Sequence, residues 1–296
     1  MTWLRRAGEV GADGVVARVT PEAAGWEYCG LEVLDLGVAG SVTRTMASTE
    51  GVLVPLSARE VEVRVDGELH TLRGRDGVFA AVSDWIYLPL GSTVVFSAPR
   101  GEVALCTARA TTTYDVVVTQ AVDVPVQVRG AGPATRQVTD IATPDSFTGA
   151  DRINVCEVIT PAGNFSSWPP HRHDGIDGCP VRNEEIYYFR TGCLDSPHGD
   201  ARGQAQFRVY TVDGGVDETV TVHDQDVYLV PEGYHGPSTA PPQYPLYFLN
   251  VLAGPDDERT MGFCDDPTHA WIRESWDSQD QDPRCPVTSA SGRVAR

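Results

Sequence analysis

The run Pro169-Pro170-His171-Arg172-His173-Asp174 sets two imidazoles two residues apart. On an extended strand alternate side chains share a face, so His171 and His173 can address one centre while Arg172 faces away. A third imidazole, His235, closes Pro231-Glu232-Gly233-Tyr234-His235, and an acidic pair, Glu184-Glu185, heads the aromatic run Ile186-Tyr187-Tyr188-Phe189. Three imidazoles and one carboxylate suit one divalent transition metal, zinc or manganese first, with iron and nickel as other occupants. Strand parity decides between the two acids: a strand starting at Glu185 lines one face with Glu185, Tyr187 and Phe189 and packs Ile186 and Tyr188 on the other. The expected ligands are His171, His173, Glu185 and His235, with Glu184 a supporting or solvated group at the strand entrance. His70, His198, His223 and His269 fall in turns or polar stretches and read as solvated side chains.

The elements that must hold these groups are short β-type runs separated by Gly, Pro, Asp and Asn. The first half offers 52–56, 61–65, 69–73, 78–82, 85–89, 93–98 and 103–107; the second offers 153–160, 185–191, 205–211, 218–222, 226–231 and 246–252. Strands this short and regularly spaced indicate a sandwich or barrel, and the best helical candidate, 265–276, is short. The stretch from Arg129 to Asp151 is turn-rich, which places a junction there and divides the chain into domains 1–140 and 141–296. A weak internal echo pairs Asp84-Trp85-Ile86-Tyr87-Leu88-Pro89-Leu90-Gly91 with Asp226-Val227-Tyr228-Leu229-Val230-Pro231-Glu232-Gly233. Beyond the second copy stands His235; beyond the first there is no His. The expectation is one architecture used twice, with chemistry in the second copy.

Composition excludes several classes. Acidic side chains number 41 against 23 basic ones, a net charge of −18, and no basic cluster interrupts the excess, so neither nucleic acid nor an anionic membrane is an expected partner. All 23 basic residues are Arg, which removes Schiff-base lysines, pyridoxal phosphate aldimines and phosphate-loop lysines together. The seven cysteines, Cys29, Cys106, Cys156, Cys179, Cys193, Cys264 and Cys285, are odd in number and irregular in spacing, which argues against a disulfide framework and for reduced thiols in a cytoplasmic protein. Ser166 and Ser167 lack a nucleophile elbow, and no glycine-rich strand-to-helix unit exists for a nucleotide.

His171-Arg172-His173, Glu185 and Gly192, followed by Pro231-Glu232-Gly233 and His235, resemble the two motifs of the cupin superfamily, G(x)5HxH(x)3–4E(x)6G and G(x)5PxG(x)2H(x)3N. The six residues between Glu185 and Gly192 fit; the eleven between His173 and Glu185, the single residue between Gly233 and His235, and Thr239 in place of the final Asn depart. The insertion from Asp174 to Glu184 reads as a loop over the site. A narrower resemblance runs through Glu184 to Tyr188, Phe207 to Thr211, Asp217 to Thr219, Asp226 to His235, Tyr247 to Gly254 and Asp265 to Trp271. These segments are similar to the 5-deoxy-glucuronate isomerases of bacterial myo-inositol catabolism, two-cupin proteins related to the 4-deoxy-L-threo-5-hexosulose-uronate ketol-isomerases. The resemblance implies an all-β fold of two jelly-roll barrels, a metal site in the second alone, a polar C-terminal tail, and conversion of 5-deoxy-D-glucuronate to 2-deoxy-5-keto-D-gluconate.

The residues fit that reaction on physical grounds. An aldose–ketose shift moves a proton from C2 to C1 and passes charge through two oxygens, which an electrophile stabilises. Glu218 leads as the base, followed by Glu184 and Tyr187. Arg208 could hold the substrate carboxylate in a two-pronged grip, and Tyr234 and Tyr247 could contact hydroxyls. The partner implied is a small-molecule sugar acid, and a homo-oligomer is compatible with the sequence. Another uronate isomerase, an iron-dependent dioxygenase and a non-enzymatic sugar-binding cupin stay open at this level.

Overall fold

The computed structural model describes residues 3–9, 13–176, 178–192 and 203–294, an all-β chain of four larger sheets and one small hairpin. Cys193 and His198 lie outside the described residues. In the first half a six-stranded sheet runs in the order Val117–Thr119, Trp85–Leu88, Thr49–Pro55, Glu102–Arg109, Cys29–Asp35, Val15–Val19. It faces a four-stranded sheet of Val42–Thr45, Thr93–Ser97, Glu60–Val65 and Glu68–Arg73, and Leu53, Leu105, Val63 and Phe96 fill the space between. In the second half a seven-stranded sheet is ordered Leu4–Arg5, Val227–Val230, Glu184–Thr191, Leu246–Ala253, Asn154–Thr160, Arg136–Asp140, Val126–Arg129. Its partner sheet is Asp217–His223, Gln204–Tyr210, Tyr234–Thr239, His171–Arg172 and Cys264–Asp265, around a core led by Tyr187, Phe207 and Phe248.

A third core lies between the two large sheets, which pack back to back through Val52, Cys106, Ile186, Tyr188, Leu249 and Val251 among others. This explains two textures in the sequence. Glu60–Val65 alternates exposed and buried because one face meets water. Asn154–Thr160 and Leu246–Ala253 are buried at every position because each face meets a core, so they read as continuous apolar runs. Carboxylates also join the halves. Glu50 accepts hydrogen bonds from the backbone N–H groups of Asp151, Arg152 and Ile153, and Glu184 accepts them from Glu27, Tyr28 and Cys29.

Register makes the internal echo concrete. Gly51 pairs with Leu88 and Val52 with Tyr87, as Glu185 pairs with Val230 and Ile186 with Leu229. The echoed segments therefore hold the same place in their sheets, and Glu50 and Glu184 become counterparts.

Several expectations are corrected. Val126–Arg129 and Arg136–Asp140 hydrogen-bond into the second-half sheet, so the ladders change over before residue 126 and not at 140. The run 78–82 forms no strand: Val78 and Val82 are buried in the core between the sheets, and the Val82 N–H donates to the Ser289 carbonyl. The C-terminal residues are accordingly no free polar tail; Thr288–Ser289 pairs with Gly292–Arg293, and the side-chain carbonyl of Gln137 accepts from the N–H groups of Val287 and Thr288. The helix expected over 265–276 begins later, as 3-10 turns over Ala270–Ser278, because Cys264–Asp265 is drawn into the sheet beside His171–Arg172. Cys179 and Cys264 form a disulfide with a Cα–Cα distance of 5.7 Å, against the expectation of reduced thiols throughout; the partners are 85 residues apart and only the fold brings them together. Among the described residues no helix is long and apolar enough to cross a membrane.

Candidate metal centre

Three ligand-type side chains converge at the mouth of the second barrel. His171, on a two-residue strand, pairs directly with His235 across the sheet, and the chain then carries His173 to the rim. Backbone and ring both hook His173 to the loop before the facing strand: its carbonyl accepts from the Asn183 N–H at 2.8 Å, and its Nδ1 donates to the Asn183 carbonyl at 2.8 Å. Nε2 is thereby aimed inward, 2.9 Å from Oε2 of Glu185, and His235 Nε2 stands 3.1 Å from the same oxygen. Asn250 holds the other carboxylate oxygen at 2.8 Å. Ligand atoms of His173, Glu185 and His235 all lie within 4.8 Å of one another, and all three residues are buried.

The donor set fits a cation. With the Nδ1 proton of His173 committed to Asn183, Nε2 is the nitrogen turned to Glu185: protonated, it donates to the carboxylate, and without that proton it presents a lone pair that a cation can take. Both ring nitrogens of His235 are buried without a hydrogen-bond partner, a costly state that a metal on Nε2 relieves. Burial alone would raise the Glu185 carboxyl, but His235 and the hydrogen bond with His173 outweigh it and hold its pKa well below the ordinary range. The acid is therefore ionised, as a ligand must be. His171 stands beside the trio, its ring centroid 4.4 Å from that of His235 and its Nδ1 3.3 Å from the Pro169 carbonyl. A cavity of about 100 Å³ opens onto the group. Tyr187 and Ser167 line it with Oη–Oγ 3.1 Å apart, and the guanidinium-bearing Arg129, Arg136 and Arg273 line it too. Burial and the Glu185 charge push the Tyr187 hydroxyl well above its usual pKa, so it keeps its proton.

With this geometry in hand, the sequence model of the KduI/IolB family matches residues 3–272. The chain belongs to the KduI/IolB family. The 5-deoxy-glucuronate isomerase of Geobacillus kaustophilus is 40% identical over 268 residues, spanning 89% of this chain and 92% of the relative. That of Bacillus subtilis strain 168 is 34% identical over 264 residues, spanning 88% and 93%. Among solved structures, an IolB-like protein from Salmonella typhimurium superposes with a TM-score of 0.81 at 32% identity, covering 92% of this chain and 99% of that one. Oxalate decarboxylase, at 14% identity and a TM-score of 0.61 over 89% of this chain and 79% of its own, shares the all-β cupin fold.

In this KduI/IolB member the remaining sequence candidates disperse. Glu184 ties the two halves through three backbone N–H groups, one position out of phase with Glu185, and does not line the cavity. Its replacement by Ala should cost about 2 kcal/mol of stability, read from urea denaturation, while kcat stays within about threefold; a large fall in kcat with unchanged stability would return it to the catalytic candidates. Glu218 sits exposed on the outer sheet, accepting from the Tyr228 hydroxyl at 3.1 Å, and does not line the cavity. Arg208 pairs with Asp217 and lies over the Tyr210 ring at 5.0 Å, the outward-facing arrangement for a strand arginine. Tyr234 faces opposite to His235, beside Tyr210 and beneath Arg172. Tyr247 donates to Glu157 at 2.8 Å between the large sheets. Tyr187 alone of the acid-base candidates lines the cavity.

Sequence reasoning passed over Asn250, Arg129, Arg136 and Arg273. Asn250 had a signal, the one amide in the otherwise apolar and aromatic run Leu246–Ala253. The loop from Asp174 to Arg182 is pinned on both sides, by the disulfide from Cys179 and by Asp174, whose Oδ2 accepts from the Gly233 N–H at 2.8 Å. In the first barrel Gly51 takes the place of Glu185, and a Cβ there would meet the Met46 methyl at 2.7 Å and Leu105 at 3.4 Å. Met46 and Leu105 are buried core. The position in the first barrel that corresponds to Glu185 is thus filled with hydrocarbon.

Proposed function

We propose that the protein is a metal-dependent aldose–ketose isomerase converting 5-deoxy-D-glucuronate to 2-deoxy-5-keto-D-gluconate in myo-inositol catabolism. The observation that carries it is the convergence of His173, Glu185 and His235, with both ring nitrogens of His235 buried and lacking a hydrogen-bond partner, in a chain whose relatives are 5-deoxy-glucuronate isomerases. These three residues, with His171 completing the set, would hold the ion, and zinc or manganese would suit the donors. Bound there, a divalent metal supplies an electrophile for adjacent sugar oxygens. Asn250 fixes the Glu185 carboxylate, and Asn183 fixes the ring of His173, so the ligands need no rearrangement. Tyr187, protonated and next to Ser167, donates to a substrate oxygen as charge moves from C1 to C2. Phe248, Leu252 and Met261 shield the cavity from bulk water.

The test is ketose formation from 5-deoxy-D-glucuronate with metal-loaded and chelated protein. Chelation should reduce turnover by at least about 100-fold, with recovery on adding metal back. Solvent deuterium entering the product marks the proton-transfer route. Undiminished turnover after complete metal removal, or oxygen consumption in step with substrate loss, would overturn the reading.

A further inference from the structure

The same cavity holds a charge arrangement that metal binding does not require. In a chain of net charge −18, one wall carries three guanidinium groups, Arg129, Arg136 and Arg273. Arg129 and Arg136 are directly opposite in adjacent strands, so both project from one face of the seven-stranded sheet. Two of the three are neutralised: Arg129 by Asp140 at 3.5 Å, and Arg273 by Asp265, with an Nη2–Oδ1 distance of 2.8 Å. Arg136 has no acidic partner among the described residues. Its Nη1 donates to the Ala134 carbonyl at 3.2 Å, and its Cζ lies 5.5 Å from the Trp276 ring, which Arg273 also contacts at 5.2 Å. Burial, together with the charges of Arg273 and Arg129, lowers its pKa to about 10, so it remains a cation at neutral pH in a place that disfavours one.

A half-buried cation flanked by two like charges calls for an anion. Arg273 stands 4.9 Å from the Phe263 ring, which is 4.8 Å from the ring of His171, so Phe263 links the basic wall to the side of the same cavity that carries His171. We propose that Arg136, flanked by Arg129 and Arg273, is the carboxylate anchor of the substrate site and makes the enzyme selective for sugar acids over neutral sugars. The proposal rests on the isomerase reading for its substrate but not for its test. Arg136 holds the carboxylate end, and the metal ligands receive the other. The planar guanidinium offers two parallel N–H donors, which a neutral hydroxymethyl end cannot use.

The test compares binding of D-glucuronate and D-glucose by calorimetry, with and without metal, in the wild-type protein and in Arg136→Gln and Arg136→Lys. Wild type should prefer D-glucuronate by at least about 30-fold. Arg136→Gln should lose that preference while retaining its metal content, and Arg136→Lys should restore part of it through charge without the fork. If turnover of 5-deoxy-D-glucuronate is seen, Arg136→Gln should raise KM by a similar factor and change kcat little. Equal preference in wild type and both variants, or no preference in wild type, would overturn the anchor. A wild type that binds D-glucuronate selectively yet never isomerises the deoxy sugar would overturn the isomerase reading and leave the anchor standing.

Discussion

Replacing His173 with Ala should lower kcat/KM for 5-deoxy-D-glucuronate by at least about 10³-fold and strip the protein of bound metal, with the β fold retained. The size of the effect follows from position. His173 is anchored by Asn183 through both backbone and ring, and it presents Nε2 to the Glu185 oxygen that also faces His235. Without it the centre keeps one carboxylate and one close imidazole, too few for a tight transition-metal site. The fold survives because the core of the second barrel is built elsewhere, from Phe189, Phe207, Tyr228 and Phe248, and because Asn250 continues to hold Oε1 of Glu185. The freed carboxylate can take up a proton, so the loss of stability should stay near 2 kcal/mol. Elemental analysis, circular dichroism and steady-state kinetics on the same sample check all three parts. Full metal occupancy with near-normal kcat/KM would remove His173 from the centre, and collapse of the fold would make the site structural.

Part of the candidate centre was legible because alternation on a strand is visible in one dimension, although the strand at His171 ends at Arg172 and His173 lies beyond it. Glu185, Tyr187 and Phe189 do share a face, and Ile186 and Tyr188 turn to the core between the large sheets. Alternation says which side chains go together but not what lies opposite them. Glu184 is one residue out of phase with Glu185, and that single step sends it to the other half of the molecule. Tyr247 and Tyr234 fail for the same reason, since a strand buried on both faces gives no sign of which core each side chain joins. Arg208 and Glu218 sit on the outer sheet, where sequence could not tell the barrel interior from its exterior. Arg136 was hidden in a stretch whose glycines and prolines read as a junction, although the residues beyond the turn form an interior strand. The Cys179–Cys264 bond depends on the sheet pairing of His171–Arg172 with Cys264–Asp265, a long-range contact with no local trace.

A second large effect is expected far from the metal. Arg75, from the first half, is fully buried and reaches Glu157 of the second, while its Nε and Nη1 donate to the carbonyls of Pro55 and Ala81, each at 3.0 Å. Glu157 also accepts from the Tyr247 hydroxyl at 2.8 Å, so this carboxylate lives on two donors from opposite sides of the interface. Arg75→Ala removes the only cation paired with Glu157 among the described residues and leaves a buried acid with one neutral donor. The expected cost is about 3–5 kcal/mol, seen as a lower urea midpoint. The pair is a device of assembly rather than of net stability, because each ion lost its hydration on burial. Arg75→Met combined with Glu157→Leu should therefore recover most of what Arg75→Ala loses, despite removing more polar groups. If the double variant were instead as unstable as the sum of its single variants, the two side chains would be acting independently, and the pair would not be a coupled device of assembly.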